Sequence, residues 1–279
     1  MTEDKTDTRP LAGLRVLDIA TFIAAPFCAT LLGEFGAEVI KVELPKTGDP
    51  VRYFGHRGET GESLIWLSEA RNKKSITLNL KSAKGQEILK FLVAKTDVLC
   101  ENFRPGTLEN WGLGPERFKN SNPGLVFTRI SGYGQDGPAS SWAGHDINYL
   151  AMSGFLACTE PREDGGPPIP GATVADSAGG GMHAAMSIMA ALVKRDTTGE
   201  GRYLDISATE GVLSLMALSI DQYLATGEVA GPRQVLLTGR YAFYDLYPTK
   251  DNKWVSVGAI EPKFYANLCN ALDLPQYAK

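Results

Sequence analysis

Histidine and cysteine are scarce in this sequence, and their scarcity narrows the chemistry open to it. The 279 residues include 3 histidines and 4 cysteines. Cys28, Cys100, Cys158 and Cys269 stand far apart, with no CxxC pair and no paired histidine nearby, so they read as buried reduced thiols rather than as metal ligands or a redox pair. The patterns GxxxxGK[ST], HExxH and GxSxG are also missing, which removes the commonest routes to phosphoryl transfer, zinc hydrolysis and serine hydrolysis. The N-terminal MTEDKTDTRP lacks the apolar stretch of a signal peptide, and no window approaches the apolar length of a membrane span. A cytoplasmic chain with no membrane partner is expected. Positive charge is not in excess: 28 Lys and Arg against 32 Asp and Glu leave a net −4. That balance gives no general attraction to nucleic acid, so any phosphate must be held by local Lys and Arg. No repeat or low-complexity tract is visible.

What is present is enough apolar sequence, 43% of residues, to bury a full core in one large domain, or in one and part of a second. Strand and helix patterns alternate. Leu14 to Ile19 reads as a buried strand, Ala25 to Phe35 as a helix closed by Gly36, and Glu38 to Val42 as the next strand. Helix Ser82 to Ala94 and strand Asp97 to Cys100 repeat the rhythm, and Gly124 to Ile130 adds another strand. Asp176 to Lys194 is predicted as one Ala- and Met-rich helix, followed by strand Tyr203 to Ile206 and helix Thr209 to Thr226. Gly227 to Arg233 is the candidate linker, after which Tyr241 to Tyr247 and Trp254 to Val257 form an antiparallel pair around Lys250-Asp251-Asn252-Lys253. The expected fold is α/β: an open, mostly parallel Rossmann-like sheet with flanking helices over residues 1–228, and the beginning of a smaller α+β domain over 229–279.

Glu43 ends the second strand where an acid would hold a ribose, yet the turn after the first strand, Ala20 to Pro26, has no GxGxxG, so a dinucleotide site is not expected. The chemistry-bearing residues lie further on. His145 in GHDINY has the side chain suited to taking a proton from carbon near neutral pH, although taken alone it reads sooner as a helix-start residue that caps or packs. Asp176 in VADSAGGGMH fits a helix N-cap as well as an acid–base or nucleophilic group. Glu261 in VGAIEPKFY follows a short apolar strand, precedes a proline and fits a helix N-terminal acid. His56 and His183 lack such surroundings and read as structural.

Together with PLAGLRVLDIA, GEFGAEVIKVE, RNKKSITLNLK, ENFRPGTLENWGLGPERF and RISGYGQDGP, these blocks resemble the family III CoA-transferases (the CaiB/BaiF superfamily), and within them the α-methylacyl-CoA racemase branch. The resemblance runs from Leu11 to the last residues. It implies an isomerase of lipid metabolism that inverts C2 of a 2-methylacyl-CoA, with His145 and Asp176 as the two bases and Glu261 orienting the histidine. It places CoA along Phe22, Leu78, Lys81, Asn102, Phe103 and Arg104, with enolate donors among the backbone amides near the start of the Asp176 helix. CoA would be part of the substrate, with no other cofactor and no metal. In the family's transferases the matching aspartate forms an acyl anhydride and then a thioester, so a CoA-transferase acting through Asp176 is the alternative. Ile23 where those enzymes carry Gln, the presence of His145, and the lack of their Gly-rich loop lean toward the racemase. Leu44 replaces a family arginine, which removes one phosphate contact. Relatives extend past the equivalent of Lys279 and form interlocked homodimers. On that pattern the chain reads as C-terminally truncated, and an inactive CoA-binding remnant is the third possibility.

Overall fold

Four apolar strands form the centre of a six-stranded sheet. In a computed structural model describing residues 7–278, β1 (Arg15–Asp18), β2 (Glu38–Glu43), β3 (Lys73–Thr77), β4 (Val98–Glu101), β5 (Val126–Ser131) and β6 (Tyr203–Ser207) form one sheet in the order β3-β2-β1-β4-β5-β6. Every pairing in it is parallel. Strand side chains alternate between faces, and both faces are covered. Val16, Val98, Val126 and Ile130 join one apolar cluster, with Leu32, Ile188 and Leu192. Leu17, Leu99 and Phe127 join the other, with Leu89, Val93, Leu108 and Phe118. Burial on both sides is what a parallel sheet demands, and it explains why β4 and β5 read as continuous apolar runs.

The helices are α1 (Ala24–Glu34), α2 (Leu64–Glu69), α3 (Ala83–Val93), α4 (Thr107–Asn110), α5 (Asp146–Met152), α6 (His183–Thr198), α7 (Ala208–Leu215), α8 (Ala217–Thr226) and α9 (Pro262–Ala271). Ser82 starts α3 by accepting the Gly85 N–H at 3.1 Å, a cap whose loss to alanine costs about 1 kcal/mol. A second, two-stranded sheet pairs β7 (Tyr244–Pro248) antiparallel with β8 (Trp254–Gly258). The chain divides into two compact units, residues 1–150 with 171–212, and residues 151–170 with 213–279. In the second unit Tyr241 stacks on Phe243 at 5.3 Å, and Phe243 meets Tyr265 edge-on at 5.8 Å. Among the described residues, no helix is long and apolar enough to cross a membrane.

Three local expectations need correction. The single helix read from Asp176 to Lys194 is in fact a π-helix, Val174–Met182, followed by α6. Asp176 is therefore inside a helix rather than capping one, and Thr173 holds the cap position without a side-chain bond to the helix amides. The helix read from Thr209 to Thr226 breaks at Met216, whose ψ of 9° ends α7 before α8 begins. β3 is a strand that the sequence pattern does not announce, because two lysines open it. Lys73 nevertheless has its ammonium group buried, 3.0 Å from Asp18 Oδ2 and 2.7 Å from the Pro26 carbonyl.

The π-helix fits because its glycines let neighbours approach closely. A Cβ at Gly181 would lie 2.8 Å from Phe27 Cδ1, and one at Gly211 of α7 would lie 2.0 Å from the Gly179 carbonyl oxygen. The second contact is backbone to backbone and cannot be relieved by rotating a side chain. Gly211→Ala is therefore expected to cost about 3 kcal/mol or more, read as a lower urea midpoint; an unchanged midpoint would show that α7 and the π-helix can separate freely.

Candidate active site

A sheet with this strand order reverses direction between β1 and β4, and ligands of such sheets bind beyond the strands' carboxyl ends at that crevice. The first element there is the turn after β1. Asn102, just beyond β4, accepts the Thr21 N–H at 2.9 Å and donates to the Thr21 carbonyl at 2.7 Å. The Phe22 N–H reaches Asp49 Oδ1 at 3.3 Å. Held this way, Phe22 adopts φ 63°, a left-handed conformation uncommon for a residue with a side chain. Its ring meets Phe54 edge-on at 5.7 Å and His145 at 6.5 Å.

The second element is the start of α5. The His145 N–H donates to Asn148 Oδ1 at 3.0 Å, and the His145 carbonyl accepts the Asn148 N–H at 2.8 Å. This reciprocal pair places His145 at the helix start and directs its exposed imidazole toward Phe22. One turn on, the Tyr149 hydroxyl donates to the Gly144 carbonyl at 2.6 Å. Its ring lies so close to Gly132 that a Cβ there would be 2.1 Å from Tyr149 Cε1. Burial, then the charges of Asp176, Tyr133 and Asp146, push the phenol up to about 12, so it stays protonated.

The third element is the π-helix. Burial, reinforced by the charge of Asp146 and opposed by that of His145, pushes the Asp176 carboxyl up to about 6. The Asp176 N–H donates to Asp146 Oδ1 at 2.8 Å. It is therefore already engaged, and the expectation that amides at this point await an enolate is corrected for that one.

These elements enclose a cavity of about 480 Å³ whose lining includes Phe22, Asn102, Phe103, Arg104, His145, Tyr149 and Asp176. Two of the three proposed catalytic residues are thus brought together. Glu261 belongs to the second unit, where it stands at the start of α9 with no side-chain cap bond. Leu78 and Lys81 line a more apolar cavity of about 450 Å³ beside it; Thr21 and Phe103 border both. Asn102 has part of its amide committed to Thr21, so its clearest task is shaping the Phe22 turn. Asp146 and Tyr149 are site residues that the sequence reading misses, although their positions one and four after His145 place them at the same helix start.

The Glu43 carboxylate at the end of β2 is fully engaged within the fold. It accepts from Arg52 Nε at 2.7 Å, Arg52 Nη2 at 2.7 Å and the Asp49 N–H at 2.8 Å. Although burial pushes it up, these partners and Ser75 hold it at about 2. Among the described residues, no group of three or more His, Cys, Asp or Glu is arranged to hold a metal ion.

The β subunit of succinyl-CoA–L-malate CoA-transferase from Chloroflexus aurantiacus is 42% identical over 98% of this chain and 67% of its own length. The alpha-methylacyl-CoA racemase of Mus musculus is 40% identical over 95% of this chain and 65% of its own. A crystal structure of a CAIB/BAIF family protein from Brucella suis superposes with a TM-score of 0.83 at 29% identity, over 98% of this chain and 72% of that one. The chain spans 59% to 67% of the length of such curated relatives. With the profile of CoA-transferase family III matching residues 11–279, the chain belongs to that family.

Proposed function

We propose that this chain carries the proton-transfer site of a 2-methylacyl-CoA racemase, inverting C2 through an enolate of the thioester. The observation that carries this reading is that His145 and Asp176 line one cavity. Inversion needs an acceptor on one face of C2 and a donor on the other. One group removes the α-proton, the C2–H electron pair becomes the C1–C2 double bond as the carbonyl π pair moves onto oxygen, and the conjugate acid of the other group then protonates C2 from the opposite face as the carbonyl re-forms. The roles then exchange. A carboxyl held near 6 has both protonation states within reach at neutral pH, as a group that alternates between acid and base requires. The reaction consumes no oxidant and no metal; CoA enters as part of the substrate.

The nucleotide end of CoA would lie in the Leu78 and Lys81 cavity, with its thioester carried past Phe103 into the His145 cavity beside Phe22, Asn102 and Arg104. Glu261 would orient the imidazole of His145 and stabilise its charged form. We take the working form to be a homodimer. The 40% identity to an alpha-methylacyl-CoA racemase supports this reading. A second reading, CoA transfer through an anhydride on Asp176, is favoured by the 42% identity to a CoA-transferase subunit. Nucleophilic transfer gives the imidazole of His145 no necessary task, and that places it second.

A single experiment separates the readings. One enantiomer of a 2-methylacyl-CoA is incubated in deuterated water, with and without succinate or malate as acceptor acid. The racemase reading expects α-deuterium and loss of optical purity without any acceptor. CoA appearing on the acceptor, with C2 untouched in its absence, would establish the transferase instead; neither outcome in a folded, CoA-binding protein would leave a binding remnant.

A further inference from the structure

We infer that Asp146 is a positioning residue for Asp176: it clamps the backbone of the π-helix at that residue and confronts the Asp176 carboxyl with a second negative charge. This deepens the proton-transfer reading and rests on it for its catalytic meaning.

An acid in the first turn of α5 has an ordinary explanation, stabilisation by the helix dipole. The geometry goes further. Asp146 Oδ1 is committed to the Asp176 N–H at 2.8 Å, across 30 positions of sequence and between two different helices. His145 and Asp146 are consecutive, so the helix start that directs the imidazole into the cavity also anchors the element carrying the second acid–base group. Displacement of one would disturb the other.

The charges around Asp176 are few. Asp146 and His145 face it from the start of α5, and the neutral phenol of Tyr149 faces it from one turn on. Thr173 and Ser177 of its own segment bond to each other at 2.8 Å. The residues of α1 and α7 that touch the glycines of the π-helix, Ala24, Phe27, Ala208 and Val212, carry no charge. After burial, the charge of Asp146 is the main influence raising the proton affinity of Asp176. Without it, burial alone would oppose the attraction of His145, and the carboxylate would be a weaker base.

Two substitutions separate the clamp from the charge. Asp146→Asn keeps an oxygen to accept the Asp176 N–H and removes the charge; Asp146→Ala removes both. Titration of ¹³C-carboxyl-labelled aspartate by NMR, with Asp176→Asn identifying the resonance, should show the Asp176 midpoint falling by roughly one pH unit in Asp146→Asn. The limb of the pH profile for α-deuterium exchange that reports Asp176 should move down equally. Asp146→Ala should lose a further tenfold or more in exchange rate, because the clamp is gone as well. If Asp146→Asn does not fold, Asp146→Ser supplies an uncharged acceptor in its place. An Asp176 midpoint unchanged in the uncharged variant would overturn the charge role, and wild-type exchange in Asp146→Ala would overturn the clamp. If the wild type exchanges nothing, the proton-transfer reading falls, and the NMR titration still decides the inference about Asp146.

Discussion

Asp176→Asn is expected to abolish racemisation in both directions while leaving one enantiomer able to exchange its α-proton with solvent. Inversion requires two groups, and the amide can neither accept nor return a proton. His145 would still remove the proton that points at it and replace it on the same face, giving deuterium incorporation with retained configuration. His145→Ala should give the opposite enantiomer preference. Each lost group should cost two to four powers of ten in rate, roughly the range for general acid–base catalysis. Chiral chromatography coupled to mass spectrometry reads both quantities. Loss of all exchange for both enantiomers in both variants would point instead to a one-base mechanism or to a nucleophilic Asp176.

The Asp176 variant has a second expected property that excludes unfolding as the cause. The carboxyl is raised from 3.8 to about 6, so the folded state holds a proton that the unfolded chain has already released. Stability contributed by this group is present below about 3.8 and is lost as pH rises toward 6. Above that, the buried charge costs about 3 kcal/mol, and Asp176→Asn removes it. The inactive variant should therefore be more stable than the wild type at pH 8, by up to about that amount, with the difference vanishing near pH 4. Equal or lower stability at pH 8 would show that the carboxylate is well solvated or paired in solution.

The other large effect concerns stability alone. Beneath the Phe22 turn, Lys41 lies 3.4 Å from Asp18 Oδ1 and 3.0 Å from Asp49 Oδ2, and Lys73 lies 3.0 Å from Asp18 Oδ2. The ionic groups are almost completely buried, with side-chain exposures of 0 to 2%. Removing one partner leaves an uncompensated charge in a low-dielectric interior, so Asp18→Asn is expected to cost about 3–5 kcal/mol. Although burial opposes it, the charges of Lys41 and Lys73 pull Asp18 below its ordinary value. Its contribution is therefore present above about pH 4 and disappears as pH falls through the depressed value. The double variant Asp18→Asn/Lys73→Met should lose less than the sum of the two single changes, since each removes part of the same pairing. Urea unfolding at neutral pH measures all three; a loss below about 1 kcal/mol for Asp18→Asn would show that water reaches the site.

Why some of this was legible and some was not follows from which forces leave a local trace. The βαβ unit of β1, α1 and β2, and strands β4 and β5, could be read because two-sided burial writes apolar runs into the chain. β3 could not, since the lysine that opens it, Lys73, is buried by Asp18 of β1 and by the Pro26 carbonyl of α1, both far away in sequence. The π-helix has no reading in a 3.6-residue period, and its small residues give no stripe. His145 and Asp176 stood out by residue type within their motifs. Asp146 did not, because its partner is a backbone amide that no side-chain pattern announces. Glu261 stood out equally, yet its distinction in sequence says nothing of where the second unit carries it.

The π-helix also changes how this site responds to a change in chain length. Val174–Met182 winds more loosely than α6, which continues directly from it. A π turn holds about one residue more than an α turn, so deleting a single residue between Asp176 and His183 and letting one turn close as an α turn would rotate what precedes it only a little about the axis. Asp176 would keep its bearing toward His145, and α6 its packing against the sheet. The loose turns thus hold a spare residue, and a chain one codon shorter at this point is expected to keep both the fold and the carboxylate's aim.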